Sequence, residues 1–283
     1  MSTTTSTRFS DLVGCRLPLQ LAAMGGVGTA ELAEAVSAAG GLGMVPSGVA
    51  SAGECGVNFL MPFAPGPDGI HEVAKTARVV EFFYGDPDRN LVRAAHRGGA
   101  LAGWQVGAAD EARAAEEAGC DYIVAQGIEA GGHVRGHQLL AEVLAEVRVA
   151  VRVPVVAAGG VASARRFAEV MAMGADAVRV GTRFVTSPES GAHPDYVAAL
   201  LAADGDDTVL TGWFNEGWPD APHRVLRSAL ERARDSGWHA TVPPYRGVER
   251  SPGDMAMYAG QGVGDVIASL PAREVVADLV GLL

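Results

Sequence analysis

The residues most able to do chemistry follow an apolar stretch in "DYIVAQGIEAGGHVRGH", residues 121–137. Gln126 ends the apolar part, and Gly131 and Gly132 directly precede His133. An imidazole with its ordinary pKa of about 6.5 can take a proton from a carbon acid at neutral pH or hold an anionic substrate. Glycines before it let a loop fold close over a ligand, because they lack a Cβ. His133 is therefore the candidate catalytic residue.

The second histidine of this stretch, His137, raises the question of a metal site. "HVRGH" has the four-residue spacing of a helical metal-binding pair, but Gly136 lies inside it and two glycines precede it. A helix is therefore disfavoured, and the motif offers no acidic partner, so we predict no metal. The remaining histidines have no motif around them and are expected at the surface: His71, His96, His193, His223 and His239.

Short apolar or β-branched runs alternate with helical patterns along most of the chain, which is typical of parallel βα units. The predicted strands span residues 18–24, 41–46, 56–61, 78–84, 101–106, 121–126, 153–158 and 177–182. No switch in strand order is detectable, so the pattern favours a (β/α)8 TIM barrel over an open doubly wound sheet. Thr29 and Ser163 are placed to begin helices, and Gly40, Gly119 and Gly174 to end them.

The alternation stops after the eighth predicted strand. Residues 187–262 contain Trp213 and Trp218 and indicate a small, mostly helical cap domain inserted before the last barrel helix, 272–283. The predicted domains are a flexible N-terminal tail, 1–14, a barrel made of 15–186 and 263–283, and the cap, 187–262. Because barrel active sites lie at the carboxyl ends of the strands, such a cap would lie over that face. The stretch "SGVASAGEC" before the third strand is too short for a crossover helix and predicts an irregular loop or single turn.

Glycines follow the seventh and eighth predicted strands, in "AAGGVAS" and "VGTRF". A barrel makes Gly159, Gly160, Gly181 and Thr182 neighbours at its mouth. Bare backbone N–H groups and a helix N-terminus bind a phosphate dianion without any lysine, and a Cβ would hold the phosphate oxygens away. Tight turns are the alternative, less favoured for two adjacent loops. The rival dinucleotide fingerprints "GGVGTAE" and "GQGVGD" match weakly.

Composition limits the partners. The formal net charge of −11 argues against nucleic acid and anionic membranes, since neither attracts an acidic surface. Glycines, prolines and charges interrupt every hydrophobic run, so no membrane span is expected, and the N-terminus has no apolar signal region. Widely spaced cysteines without a CxxC pair indicate a reducing compartment, and we expect a cytoplasmic protein. A homodimer is kept as a possible assembly.

Several stretches together resemble the nitronate monooxygenase family, formerly called 2-nitropropane dioxygenases. They are "PLQLAAMGGVGTAELAEAVSAAGGLGM", "GVNFLMP", "DYIVAQGIEAGGHVRG", "VPVVAAGGVASARRFAEVMAMGADAVRVGTRF" and "GDMAMYAGQGVG", in order from about residue 17 to residue 264. The resemblance implies a noncovalently bound FMN in a (β/α)8 barrel with a small cap domain. It also implies site residues. Ala23 and Met24 would line the isoalloxazine, Asn58 and Gln126 would bond the ring edge or ribityl chain, and His133 would be the catalytic histidine. Gly131, Gly159, Gly160, Gly181 and Thr182, with the backbone of Arg179 and Val180, would enclose the phosphate, and Gly132 would let its loop approach the cofactor.

The reaction that the resemblance implies is the oxidation of an alkyl nitronate by O2 to a carbonyl compound and nitrite. His133 could also deprotonate a neutral nitroalkane. Aromatic and methionine side chains of the cap could form an apolar lid, although packing within the cap explains them equally well: Trp213, Trp218, Met255, Met257 and Tyr258. The alternatives are an NAD(P)H-dependent quinone or enoyl-thioester reductase on the same FMN barrel, and a barrel without catalytic activity or flavin.

Overall fold

Eight parallel strands form a closed barrel in the computed structural model, which describes residues 6–50 and 54–283. The barrel strands are β1 (Leu19–Leu21), β2 (Met44–Pro46), β3 (Gly56–Leu60), β4 (Val79–Phe83), β5 (Leu101–Val106), β6 (Tyr122–Gln126), β8 (Val155–Ala158) and β9 (Ala177–Val180), whereas β7 (Gly132–His133) lies outside the barrel. Neighbouring barrel strands follow one another along the chain, and a parallel bridge between Gln20 and Leu42 joins the first strand to the second. The predicted (β/α)8 barrel is confirmed, with a strand at each of the eight predicted positions.

The described residues also form eleven α-helices, most of which pack on the outside of the barrel strands. They are α1 (Arg8–Val13), α2 (Ala30–Ala39), α3 (Pro67–Ala74), α4 (Arg89–Gly98), α5 (Ala109–Ala118), α6 (Leu140–Ala150), α7 (Ala164–Ala172), α8 (Thr182–Val185), α9 (Pro194–Leu201), α10 (Arg227–Ser236) and α11 (Ala272–Leu279). Successive residues of a strand point to opposite faces. In β4, Val80 and Phe82 pack outward in the core shared with the helices, whereas Val79 and Glu81 face the barrel interior. None of the described helices is long and apolar enough to cross a membrane.

The helix ends agree with the sequence signals at most positions. Thr29 accepts a hydrogen bond from the backbone N–H of Leu32 at the start of α2, and Gly40 ends that helix at φ +111°. Ser163 precedes α7, but its hydroxyl donates to Asp265 at 2.7 Å rather than capping the helix. Of the stretch predicted to lack a crossover helix, residues 51–53 lie outside the described residues, and the described part contains no helix.

The N-terminal segment differs from the sequence prediction. A flexible tail was predicted for residues 1–14, but Arg8–Val13 form α1, and Phe9 and Val13 are buried. Thr7 and Ser10 form a capping box at its start, and the Phe9 ring lies edge-on to Tyr122 with centroids 5.4 Å apart. Two apolar residues four apart therefore give this short helix a face that packs on the inner surface of the barrel. Residues 1–5 lie outside the described residues.

A small antiparallel sheet lies within the segment predicted to be the mostly helical cap. Strand β10 (Thr208–Thr211) pairs with β11 (His223–Leu226), and β11 pairs with β7, so that His223 lies opposite His133. The same segment holds α9, α10 and two single turns of 3-10 helix, Gly205–Asp207 and Pro252–Asp254. Two more 3-10 turns are Met61–Phe63, after β3, and Gln261–Asp265. The sheet joins this segment directly to the loop that follows β6.

Candidate active site

A cavity of about 460 Å³ opens at the carboxyl ends of the barrel strands, within the range of small-molecule sites. The loops after β1, β3, β6, β8 and β9 form its wall, together with residues from the segment after α8. The sequence-predicted site residues that line it are Ala23, Met24, Asn58, Gln126, Gly131, Gly132, His133, Gly159, Gly160, Arg179, Gly181, Thr182, Trp218 and Tyr258. The fold therefore brings together, in one cavity, residues that lie more than two hundred positions apart in the sequence.

Four of the predicted residues are absent from the lining of this cavity: Val180, Trp213, Met255 and Met257. For Val180 the predicted contact is its backbone, and Met255 is buried. The Val180 side chain belongs to the core outside the barrel strands, and Met257 is buried in a cluster with residues of α9. Trp213 packs within the same segment as Trp218, where its indole Nε1 donates to the carbonyl of Trp238 at 2.9 Å. Packing therefore accounts for Trp213 and Met257, the alternative considered for the apolar residues of that segment.

Hydrogen bonding fixes the state of the His133 ring. Its Nδ1 lies 3.1 Å from the carbonyl oxygen of Ala221. A carbonyl oxygen only accepts, so Nδ1 carries the hydrogen and Nε2 keeps its lone pair. Burial, with a smaller contribution from nearby His223, lowers the pKa of His133 to about 4, against the opposing effect of the bond to Ala221. The imidazole is therefore neutral at neutral pH.

Gln126 presents an unused acceptor. Its Nε2 donates to the backbone carbonyl of His133 at 3.0 Å, which ties the end of β6 to β7. Its Oε1 is buried and has no hydrogen-bond partner among the described residues, and the residue lines the cavity. Buried polar atoms rarely remain unpaired, because an unmade bond costs about 1–3 kcal/mol. A ligand N–H or O–H group in the cavity would satisfy this oxygen.

Glycines allow close approach where the loops after β6 and β8 meet the chain near residue 260. A Cβ on Gly131 would lie 2.6 Å from the backbone nitrogen of Gly260, closer than real Cβ atoms come. Gly160 has φ +66°, a left-handed conformation that favours glycine. The Thr182 hydroxyl accepts a hydrogen bond from the Gly260 N–H at 3.0 Å. Backbone rather than side chain therefore forms this end of the cavity, and sequence analysis had not identified Gly260 or Gly262 as part of it.

A model of the nitronate monooxygenase family matches residues 6–60 and 68–281 of the chain. The chain belongs to the nitronate monooxygenase family. The family match and a similar nitroalkane oxidase structure identify it as an enzyme, an oxidoreductase.

Relatives of this nitronate monooxygenase family member differ in their named activities. A dehydrogenase of (3aS,4S,5R,7aS)-5-hydroxy-7a-methyl-1-oxo-octahydro-1H-indene-4-carboxyl-CoA from Mycobacterium tuberculosis is 31% identical over 251 residues, 83% of this chain and 70% of the relative. The structure of FabK from Thermotoga maritima superposes with a TM-score of 0.84 at 31% identity, covering 98% of this chain and 96% of that one. Nitroalkane oxidase from Streptomyces ansochromogenes has a TM-score of 0.77 at 31% identity, covering 97% of each chain.

The floor of the cavity carries a buried ion pair that the sequence did not predict. Arg179 reaches the cavity with its side chain, whose guanidinium pairs with the fully buried Glu81. Gln20 and Gln105 accept hydrogen bonds from the same guanidinium, and the Asn58 amide donates to Glu81 at 2.9 Å. Glu81 was missed because it is a single charged residue within an apolar strand. Only the barrel geometry shows that it faces inward.

Aromatic rings pack around His133. The Trp218 ring centroid lies 4.0 Å from that of His133, and Phe63 lies edge-on to Trp218 at 5.5 Å. Tyr84 and Tyr258 approach the imidazole at 5.9 and 5.8 Å. Tyr84 also has φ +68°, which is unfavourable for a residue with a Cβ. The wall beside the imidazole is therefore apolar and aromatic.

Arg135 and His137, whose roles the sequence left open, point away from this chemistry. Arg135 forms ion pairs with Glu111 at 2.5 Å and with Asp86 at 2.8 Å, which anchor the loop after β7 to its neighbours. His137 is exposed. Across residues 6–50 and 54–283, no group of three or more histidine, cysteine or acidic residues is arranged to hold a metal ion.

The prediction that His223 lies at the surface is wrong, because the residue is 0% exposed. Its Nδ1 donates to the carbonyl of Ala221 at 2.9 Å, and its Nε2 accepts a hydrogen bond from the backbone N–H of Phe214 at 3.3 Å. Burial lowers its pKa, so the ring is neutral. No sequence motif indicates this residue, since its importance comes from the pairing of β11 with β7.

Proposed function

We propose that this chain binds FMN without a covalent link in the barrel cavity and uses it to oxidise alkyl nitronates with O2, giving a carbonyl compound and nitrite. Membership of the nitronate monooxygenase family and the likeness to a nitroalkane oxidase support this reaction. The observation that carries the proposal is the cavity at the barrel mouth, which joins the Gln126 amide, a glycine-lined end and His133. For neutral nitroalkanes the state of His133 matters as well. It is a neutral imidazole in the cavity wall, with a free lone pair on Nε2.

The polar groups of the cavity suit the ring of FMN. Gln126 Oε1 is a buried acceptor with no partner in the described part of the chain, and a flavin ring carries an N–H that such an oxygen can bind. Asn58 gives its amide N–H to Glu81 and would offer its carbonyl oxygen to the ligand. Ala23 and Met24 would cover the ring, since both line the cavity after β1.

The backbone end of the cavity suits the phosphate of FMN. The glycines there leave backbone N–H groups uncovered by any Cβ, and such groups bind phosphate oxygens without a lysine. We assign to the phosphate Gly131, Gly159, Gly160, Gly181 and Thr182, with the backbone of Arg179 and Val180, and to the approach of the loop to the cofactor Gly132. The FMN ring, when bound, supplies the transfer of electrons from substrate to O2.

His133 would act as a base rather than as a charged anchor. A neutral ring cannot hold a nitronate by charge, so the low pKa disfavours that role near pH 7. Its Nε2 can accept the proton that a neutral nitroalkane loses from carbon when it becomes a nitronate. Nitronates supplied as such need no proton transfer. His133 is therefore expected to matter most for neutral nitroalkanes.

The aromatic wall would keep water from the reacting carbon. Trp218 lies against His133, and Phe63 lies edge-on to Trp218. Leu60 and Phe83 also line the cavity. Apolar walls with a few directed polar groups are common in small-molecule sites. We therefore expect a small nitronate or nitroalkane and O2 as partners. A cytoplasmic location and a homodimer remain predictions from the sequence.

A second candidate is an FMN-dependent reductase of quinones or enoyl thioesters that takes electrons from NAD(P)H. The observation that favours it is the similarity to a dehydrogenase named for a carboxyl-CoA compound. The same cavity and the same histidine could serve such an acid–base step. Because one fold hosts several reactions, only turnover separates the two candidates.

The test uses the full chain loaded with FMN. Oxygen consumption and nitrite release are followed with propionate 3-nitronate, and flavin absorbance is followed without oxygen after adding NADH or NADPH. We expect nitronate-dependent oxygen uptake and slow reduction by pyridine nucleotides. Rapid reduction by NADH or NADPH without nitronate turnover would establish the second candidate instead. A protein that binds no FMN would exclude both.

A further inference from the structure

One backbone carbonyl, that of Ala221, accepts hydrogen bonds from two histidines. The Nδ1 of His133 donates to it at 3.1 Å and the Nδ1 of His223 at 2.9 Å. The two rings lie at 73° to each other with centroids 5.2 Å apart. A carbonyl oxygen has two lone pairs, so both bonds can exist together. Ala221 therefore links a buried histidine to the one in the cavity wall.

Hydrogen bonds at both ring nitrogens fix the tautomer of His223. Its Nδ1 faces an atom that only accepts, and its Nε2 faces the Phe214 N–H, which only donates. A single neutral tautomer satisfies both partners. A buried polar ring that uses both nitrogens fixes its surroundings more strongly than an apolar side chain of similar volume would. The Ala221 carbonyl is thereby held in one orientation.

The pairing of β11 with β7 connects the orientation of the Ala221 carbonyl to His133. His223 of β11 lies opposite His133 of β7, and the Val134 N–H donates to the Pro222 carbonyl at 2.8 Å. The chain from 221 to 223 therefore supports both the backbone of His133 and its ring. If the Ala221 carbonyl turned away, Nδ1 would lose its partner and the ring could carry its hydrogen on Nε2 instead. That tautomer cannot accept a proton at Nε2.

We propose that His223 is a positioning residue for His133: it fixes the Ala221 carbonyl and so keeps the Nε2 of His133 free to accept a proton from a substrate. The role of that proton acceptor rests on the function proposed above, but the tautomer of His133 does not. In serine proteases, loss of the group that fixes the tautomer of the catalytic histidine lowers kcat by about 10⁴. In this protein, His223 fixes the tautomer of His133 through the shared Ala221 carbonyl and not through a carboxylate.

Two substitutions separate the two hydrogen bonds of His223. His223→Asn keeps a donor at the position of Nδ1, next to the Ala221 carbonyl, and loses the acceptor for Phe214. His223→Gln keeps an acceptor at the position of Nε2 and loses the donor to Ala221 at its original position. Each removes one buried hydrogen bond, so similar losses of stability are expected. A difference between the two variants in the His133 tautomer or in kcat therefore measures the effect of the bond to Ala221.

The primary measurement is the nitrogen-15 NMR spectrum of the imidazole rings in the full chain, with His133 assigned by its absence in His133→Asn. We expect protonated Nδ1 on His133 in the wild type and in His223→Asn, and protonated Nε2 as the main tautomer in His223→Gln. The kinetic measurement is turnover of a neutral nitroalkane by the FMN-loaded enzyme. Here kcat should fall about tenfold or more in His223→Gln, with KM nearly unchanged, and stay close to wild type in His223→Asn.

Several results would overturn the proposal. One is a protonated Nε2 on His133 in the wild-type protein, which needs no variant. Another is the same His133 spectrum in both variants. If the wild type turns over no nitro compound but the spectra differ as expected, the proposed function fails and the positioning role of His223 stands.

Discussion

The indole of Trp218 lies against the imidazole of His133, with ring centroids 4.0 Å apart and a 39° angle between the planes. The two residues come from different parts of the chain, Trp218 from the segment between β10 and β11 and His133 from the loop after β6. Trp218 therefore covers the side of the imidazole that would otherwise meet water. Phe63 lies edge-on to the same indole, with centroids 5.5 Å apart, but is itself 59% exposed.

Replacing Trp218 tests whether its indole shields the His133 imidazole from water. Trp218→Ala should lower kcat/KM for a nitroalkane by about tenfold, because an aromatic pair contributes about 0.5–1.5 kcal/mol beyond its buried area. Steady-state oxygen uptake measures the effect. Phe63→Ala, the matched control, removes a more exposed ring that does not touch His133 and should change kcat/KM less. Equal effects in the two variants would show that the contact with His133 is unimportant.

Gly181 tests the phosphate end of the cavity. A Cβ there would lie 3.2 Å from that of Ala22, so the backbone must shift by a few tenths of an ångström. Gly181→Ala should therefore weaken FMN binding while leaving riboflavin, which lacks the phosphate, nearly unaffected. Fluorescence titration of both flavins measures this. Gly25→Ala is the control, since a Cβ there meets nothing within 4 Å. An equal loss for both flavins would remove Gly181 from the phosphate site.

The buried ion pair between Arg179 and Glu81 is expected to stabilise the fold. Arg179→Met should lower the free energy of unfolding by about 3–5 kcal/mol, because it leaves the fully buried Glu81 carboxylate without its cation. Urea unfolding of the flavin-free protein measures the change. Adding Glu81→Met should recover part of the loss, since no unpaired charge then remains. A single variant as stable as the wild type would show that the pair is solvated.

The lowered pKa values of His133 and His223 predict a loss of stability in mild acid. Burial lowers the pKa of His133 to about 4, whereas an unfolded histidine titrates at about 6.5. Between these values the unfolded chain binds more protons than the folded one, so stability falls as pH falls from about 6.5 towards about 4. Urea unfolding at about pH 7 and about pH 5 should show a smaller decrease in His133→Asn than in the wild type. Identical decreases would mean that His133 titrates normally.

The barrel could be predicted from the sequence because each strand and helix leaves a local pattern. Apolar runs bounded by glycine marked the strands, and Thr29 and Gly40 marked the ends of a helix. Helix α1 was missed although Thr7, Phe9 and Val13 carry a cap and an apolar face, because the polar residues before it suggested a tail. The sheet of β10 and β11 was missed because "TVLT" and "HRVL" are too short to show a period.

Part of the candidate site was predictable from the family resemblance and from the position of residues near the carboxyl ends of strands. Asn58 within β3, Gln126 at the end of β6 and His133 beyond β6 all line the cavity. The partners of His133 were not predictable, because Ala221 contributes a backbone carbonyl and His223 depends on strand pairing. Glu81 was hidden in an apolar run, since one charged residue in a strand does not show which face it occupies.

The most direct test of the account compares a neutral nitroalkane with its preformed nitronate in the FMN-loaded wild type and His133→Asn. Asparagine can keep the bond to Ala221 but has no ring nitrogen at the position of Nε2. Oxygen uptake and nitrite release should fall by about 10²–10⁴ for the nitroalkane, while nitronate turnover and FMN affinity stay close to wild type. Undiminished nitroalkane turnover in the variant, or a wild type that releases no nitrite from either compound, would contradict the assignment of His133 as the base.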